Sequence, residues 1–410
     1  MKVLHISSFD SGGAGQCALR IHKALLNIGV DSKMLVANKT SDMPSVFVAE
    51  QSNLNRYVPP SNKALRKIEY SLRKRGLLLT ELEKLQRSAS VLNGKATYTY
   101  PISSYRLDQH PLVAEADVIH LHWVANFIDY PTFFPNIDKP IVWTFHDENI
   151  GFGGFHYKRD REKYGNLCPN TENALSKIKQ KSLANLRSSL SAIAISNMMQ
   201  AFLNETPTIN SHPVYLINNS VDTSIFKPIV DKRTARSIFD IPNDHLVFAF
   251  CCVSLKDERK GLKELIKAME RLEKKEKITL LCAGNDDFKT DTELNIVKTG
   301  PLRNERLMSL FYCCADFFAM PSFQEAFAQT PLEAMACGVP VIAFPCSGTE
   351  ELITDINGIR CDAFTVDSLY NGIMCAMRKK YDSNVIRQDM INRFSPQIIA
   401  QKYLDIYTSS

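Results

Sequence analysis

The stretch Ala315 to Phe344, ADFFAMPSFQEAFAQTPLEAMACGVPVIAF, sets two carboxylates, Glu325 and Glu333, on either side of a helix start. A helix start has unpaired N–H groups and the positive end of a dipole, so it is a ready site for an anion such as a phosphate. A second group of the same kind is DERKG, Asp257 to Gly261, where Arg259 and Lys260 lie in a loop that opens a helix. A cation there can neutralise charge that accumulates on a leaving anion. The chemistry these residues suit is the binding of an anion.

The elements that must position them can be read from the same residues. Ala315 to Met320 is a short apolar run of the kind buried on both faces of a parallel sheet. The loop follows at Pro321. Thr330 stands where an N-cap belongs, Pro331 at the first helical position and Glu333 three residues after the cap, the pattern of a capping box. Gly338 and Pro340 end the helix, and Val341 to Phe344 returns to strand. The unit is a βαβ crossover whose loop lies at a strand's carboxyl end, the edge where open α/β sheets bind ligands. Two readings of each carboxylate stay open here. Glu333 can serve a ligand or only cap its helix, and Glu325, between Phe323 and Phe327, can serve a ligand or only be solvated.

The run EAFAQTPLEAMACGVPV resembles the E-x7-E signature of retaining GT-B glycosyltransferases of the family-4 type, which use nucleotide-sugar donors. The resemblance implies that Glu325 meets the sugar's hydroxyls and Glu333 the ribose. It also implies that the backbone of Ala326, Phe327, Ala328, Gln329 and Thr330, at the helix start, faces the phosphates. Ala326 and Ala328 stand where that family usually has glycine. DERKG resembles the family's R…K-G phosphate clamp, which assigns Lys260 to the diphosphate. The clamp arginine's place, five residues earlier, is taken by Leu255, so Arg259 is expected to supply the second charge.

Three further segments join this resemblance. Near the N-terminus, Lys2 to Ser7 reads as a strand and FDSGGAG as the loop into a helix with an apolar stripe of Ala18, Ile21, Leu25 and Ile28. Gly12, Gly13 and Gly15 do not form G-x-G-x-x-G, which argues against NAD. The resemblance assigns Gly13 and Gly15 to the donor's phosphates. The second segment, TFHDENIGFGGFHY, resembles a T-x-H-D…T-G-G-C-H-Y pattern of polysaccharide-building members, and this places His146 on the donor sugar. Phe152 and Phe155 replace that pattern's threonine and cysteine. The third, NNSVD from Asn218 to Asp222, resembles the family's interdomain hinge.

The whole chain of 410 residues is longer than one core comfortably supports. Two domains are expected: 1–222 for the acceptor and 223–390 for the donor, with 225–243 as linker and a C-terminal helix, 391–410, crossing back to the first domain. The expected fold is α/β, GT-B, two Rossmann-like doubly wound domains facing an interdomain cleft. Apolar content of 45%, charged content of 23% and a net charge of +5 suit a globular protein and exclude a dedicated nucleic-acid binder. Eleven cysteines, without a CxxC pair, read as core residues of a reducing compartment, and no metal or other cofactor is expected. No stretch is long enough to span a bilayer, which points to the cytoplasm. Between Ser61 and Ser90, eight basic residues alternate with apolar ones, and Leu65, Ile68 and Leu72 share a helical face. Such a segment can rest on an anionic membrane surface, or it can be an ordinary solvated face.

The expected activity is retaining transfer of a sugar from a nucleotide-sugar donor to a glycan or lipid-linked acceptor, in capsule or exopolysaccharide assembly. His146, Glu325 and Lys260 carry the chemistry. A non-catalytic partner subunit and a metal-free nucleotide-sugar epimerase remain as alternatives. The first would bind no donor, and the second would turn donor over without acceptor.

Overall fold

The structure, a computed structural model, describes residues 1–51, 62–74 and 79–409. The chain divides into two compact units. Unit 1 comprises Met1–Ala194, Met199–Leu216 and Tyr403–Ser410; unit 2 comprises Ile195–Met198 and Ile217–Lys402.

Unit 1 is built on seven strands: β1 (Lys2–Phe9), β2 (Asp31–Asn38), β3 (Val46–Val48), β4 (Val118–Leu121), β5 (Ile141–Phe145), β6 (Leu190–Ala194) and β7 (Val214–Leu216). They pair in the order β3-β2-β1-β4-β5-β6-β7, and every named pair is parallel. Strands β2 and β3 had no counterpart in the sequence reading. The first carries exposed charge at its start and the second has only three residues, so neither shows a long apolar run.

A strand buried on both faces must send alternate residues into two different layers. In unit 1 one layer is apolar and the other is not. Trp143 and Phe145 stack 4.7 Å apart, and Trp143 meets Phe134 of the helix Tyr130–Asn136 at 5.6 Å. The opposite face carries His5 on β1, His120 on β4 with His122 just beyond it, and Thr144 on β5. The parallel register sets His5 beside His120. The chain's last turns cover this polar layer: Tyr407 Oη lies 2.6 Å from His120 Nδ1, and Tyr403 Oη lies 3.0 Å from Thr144 Oγ1. Tyr403 and Tyr407 belong to the helix Pro396–Ser409, which follows a separate helix, Ser383–Phe394.

The first helix, Gly12–Asn27, begins directly after β1, so the glycines expected in a loop form its first turn. Its stripe residues Ala18, Ile21 and Leu25 are buried as expected, whereas Ile28 is exposed just past the helix end. Gly15 is needed because a Cβ there would lie 2.7 Å from the Phe9 carbonyl oxygen.

Unit 2 contains β8 (Leu246–Ser254), β9 (Ile278–Asn285), β10 (Asn295–Lys298), β11 (Phe317–Met320), β12 (Val341–Ala343) and β13 (Gly358–Arg360), in the order β10-β9-β8-β11-β12-β13, again parallel. Its alternation separates two apolar cores. Val247, Ala249, Phe318, Met320 and Val341 face one, and Phe248, Phe250, Phe317, Ala319 and Ile342 face the other. The stretch 225–243, expected as a linker, is instead folded onto the first of these cores. It holds a helix, Lys232–Ile238, capped by Asp231, and buries Phe226, Ala235 and Ile241. Arg236 fixes it by donating to Asp316 Oδ2 at 2.7 Å and to two carbonyls.

Both tryptophans, Trp123 and Trp143, lie in unit 1, so their emission reports its unfolding separately. Gly15→Ala forces the helix start off β1, and urea unfolding followed by tryptophan emission should show a loss of about 1–3 kcal/mol, the usual cost of overpacking.

Candidate functional site

In unit 2 the sequence-singled residues gather because β8 and β11 are parallel neighbours. Their carboxyl ends share one edge, so the loop after each strand meets the other. The β8 loop makes a tight turn, Glu258–Lys260, started by Asp257, whose Oδ1 accepts from the Arg259 amide at 3.0 Å. It ends at Gly261, with φ +71°. A Cβ at Gly261 would stand 2.0 Å from the Pro321 carbonyl oxygen, so only glycine lets the two loops touch. The Phe323 amide donates to the Arg259 carbonyl at 2.9 Å, closing the junction.

Across this junction Lys260 Nζ lies 2.5 Å from Glu325 Oε1. Arg259 donates to the Gln324 carbonyl at 2.9 Å and to Asp257 Oδ2 at 3.1 Å, and it stands 4.0 Å from Glu325 Oε2. Arg259 is therefore built into the loop rather than solvated. Leu255, in the clamp arginine's place, is buried. The Glu325 side chain is 13% exposed. Burial pushes its carboxyl up, but the charges of Lys260 and Arg259, with hydrogen bonds from Lys260 and Ser322, outweigh this and hold it below the ordinary carboxylate range.

The helix after β11 starts at Gln329, with Ala328 as its cap and no side-chain capping bond. The expected capping box is therefore absent, and Thr330 lies inside the first turn. The Glu333 carboxylate turns inward instead, where Tyr312 Oη donates to its Oε2 at 2.9 Å. The same hydroxyl lies 3.5 Å from Cys251 Sγ, so a buried aromatic holds the glutamate that sequence reasoning gave to the cap. The Phe327 ring is core, which leaves only its backbone for a ligand, and Ala328 is buried beside it.

In unit 1, Gly13 lies in open space in the first helical turn, one residue before Ala14 and two before the packed Gly15. His146 is half-buried just past β5, with Nε2 3.4 Å from His122 Nδ1. Burial pushes its imidazole down to about 4, outweighing the opposing charge of Asp147. The loop beyond it is fixed by charges. Asp147 Oδ2 accepts from His156 Nδ1 at 2.5 Å and Trp123 Nε1 at 2.8 Å. Glu172 accepts from the amides of Gly153 and Gly154 at 2.7 and 2.8 Å. Buried Lys179 donates to Asn149 Oδ1 and to the carbonyls of Asn149 and Phe152. Phe152 and Phe155 fill an apolar cluster with Cys168. Sequence reasoning singled out none of Tyr312, Glu172 and Lys179. The only signal for the latter two was a charged residue at a helix position otherwise filled by the core.

Among the described residues one group of three metal-ligand types comes close together, His5, His120 and His122, with ligand atoms within 4.8 Å. Both His120 nitrogens already have hydroxyl partners, Tyr407 and Thr144.

Two doubly wound parallel sheets in this order define an α/β protein of the GT-B type. The structure of Anabaena Alr3699/HepE in complex with UDP and glucose is similar over 100% of both chains, with a TM-score of 0.68 at 17% identity. Residues 247–379, which run from β8 to beyond β13, match the family model "Glycosyl transferases group 1". An uncharacterized glycosyltransferase of Methanocaldococcus jannaschii is 25% identical over 72% of this chain and 76% of its own length. The GDP-mannose-dependent monoacylated alpha-(1-6)-phosphatidylinositol monomannoside mannosyltransferase of Corynebacterium glutamicum is 31% identical over 39% of this chain and 46% of its own.

Burial pushes the Lys179 amine down to about 7 from an ordinary 10.5. Above pH 7 the unfolded chain binds the extra proton, so this group makes unit 1 more stable as pH rises, until the Cys168 thiol, pushed up by burial, opposes it near pH 9. The contribution between pH 7 and 9 is roughly 2 kcal/mol. Tryptophan-detected urea unfolding should show this slope in the wild type and a flatter one in Lys179→Met.

Proposed function

We propose that the protein is a retaining glycosyltransferase. It moves a sugar from a nucleotide-sugar donor to a glycan or lipid-linked acceptor in capsule or exopolysaccharide assembly. The observation that carries this reading is the Lys260–Glu325 pair at the carboxyl edge of β8 and β11, within the matched residues and beside the helix start at Gln329. An ammonium has three donors, and Glu325 uses one. Lys260 can therefore hold Glu325 toward a sugar and still reach a diphosphate oxygen. Charge builds on that diphosphate as the glycosidic bond breaks, so a fixed cation lowers the barrier more than it strengthens ground-state binding.

Glu333 takes the ribose hydroxyls, with Tyr312 orienting it, and the backbone of 326–330 takes the phosphates. Helix N-termini and basic side chains neutralise the leaving group in this scheme, so it calls for no metal. The donor's base stays open: GDP-mannose appears in one relative's name and UDP in one neighbour's title. A lipid-linked acceptor is supported by the phosphatidylinositol mannoside named for the Corynebacterium enzyme. The basic segment 61–90 supports it too, although residues 61 and 75–78 fall outside the described ones. Its helix Lys63–Lys74 leaves Ile68 and Tyr70 exposed among basic residues, a surface suited to an anionic membrane. No helix among the described residues is long and apolar enough to cross a membrane.

The variants separate the roles. Glu325→Ala and Lys260→Ala should each cut kcat/KM by on the order of a hundredfold, as for loss of one preorganised charge-stabilising group. Glu333→Ala should instead weaken nucleoside diphosphate binding about tenfold by calorimetry, while Tyr312→Phe, which keeps the carboxylate, binds nearly as well. Wild-type turnover with a folded Lys260→Ala protein would sink the assignment. So would an inverted anomeric centre by proton NMR, or activity lost to a chelator and restored by a divalent ion. Vesicle co-sedimentation indifferent to anionic lipid and salt would remove the membrane contact alone.

A further inference from the structure

Three imidazoles in unit 1 form a line. His5 Nδ1 lies 2.9 Å from His122 Nε2, and His122 Nδ1 lies 3.4 Å from His146 Nε2. His5 and His122 are fully buried, and His146 stands at the outer end, half-exposed past β5. Burial pushes all three rings down from their ordinary value, so each carries one proton at neutral pH. A neutral imidazole has one donor nitrogen and one acceptor nitrogen. The line can then run in only two directions.

The inner end decides between them. His5 Nε2 is buried and has no hydrogen-bond partner. If the line ran inward from His146, its last proton would sit on His5 Nε2 as a buried N–H with nothing to accept it, the kind of orphan that folded proteins almost never keep. If it runs outward, His5 Nε2 is a bare lone pair, which costs less. His22 and His120 give no relief, because both nitrogens of each already lie against hydroxyls: Ser32 and Ser45 for His22, Tyr407 and Thr144 for His120.

We propose that hydrogen bonds donated from His5 to His122 and from His122 to His146 fix the proton of His146 on Nδ1. His146 then presents a neutral N–H donor to an acceptor oxygen of a sugar bound at the carboxyl edge of the unit 1 sheet. His5 and His122 are positioning residues. The sugar rests on the transferase reading above, whereas the direction of the line does not. Nδ1 is the nitrogen left for a ligand, since no described residue bonds it. A fixed N–H can hold a hydroxyl or ring oxygen but cannot remove its proton, so His146 orients and does not act as a base.

The test is nitrogen-15 NMR of the ligand-free protein labelled at histidine, with His146 assigned by its loss in His146→Gln. The expected wild-type spectrum at pH 7 shows His146 protonated on Nδ1 and unprotonated on Nε2. In His122→Leu, which removes the donor to Nε2, an Nε2-protonated form should appear. In that variant kcat/KM for sugar transfer should fall about tenfold, the scale of one ordinary hydrogen bond, with nucleoside diphosphate affinity unchanged. A wild-type His146 protonated on Nε2, or on both nitrogens, overturns the proposal, as does a tautomer indifferent to His122→Leu. The wild-type spectrum decides the direction even if the variant does not fold. It needs no substrate, so failure of the transferase reading would leave the tautomer standing and the reverse also holds.

Discussion

An ammonium and a carboxylate can stay together under a partly buried loop only if the backbone beneath them is fixed, because each would otherwise be better solvated apart. In this protein the fixing is done by two parallel strands that end at one edge and by a glycine that lets their loops touch. Gly261 has no Cβ to push Pro321 away, and the resulting contact brings Lys260 onto Glu325. The pair then sets the state of its surroundings. The carboxylate remains charged although buried, and Arg259 closes the loop rather than reaching into solvent. The helix after the loop starts at Gln329 without a side-chain cap.

The apolar runs of unit 2 were legible because each strand is covered on both sides, and a doubly covered strand reads as continuous hydrophobic sequence. The shared edge of Lys260 and Glu325 was legible for the same reason, since alternating strands and helices imply a parallel sheet. The helix cap was not. Thr330, Pro331 and Glu333 have the right spacing, but Tyr312, 21 positions earlier than Glu333, takes its carboxylate. A tertiary hydrogen bond to a buried hydroxyl is invisible to any local pattern. The stretch 225–243 misled through its prolines, which read as linker, while the buried Phe226, Ala235 and Ile241 in fact anchor it.

The polar layer of unit 1 was hidden for a different reason. His120 and His122 alternate along a strand end, and this alone suggests only that both face one side. That His5 joins them follows from strand order, which brings together residues more than a hundred positions apart. Hydrogen-bonded imidazoles and hydroxyls replace apolar packing there, and such a network tolerates few substitutions because every member must find its partner.

Tyr403 and Tyr407 complete that layer, although the rest of unit 1 ends at Leu216. During synthesis the hydroxyl that His120 Nδ1 requires is not yet made when the unit's other strands have left the ribosome. The gap from Leu216 to Tyr407 is 407 − 216 = 191 residues. At roughly 5–20 residues per second this amounts to about 10–40 s. Unit 2, apart from Ile195–Met198, is translated within that interval. The unit that begins the chain is therefore the last to be closed, and during the wait its histidine face stands uncovered in a nascent protein.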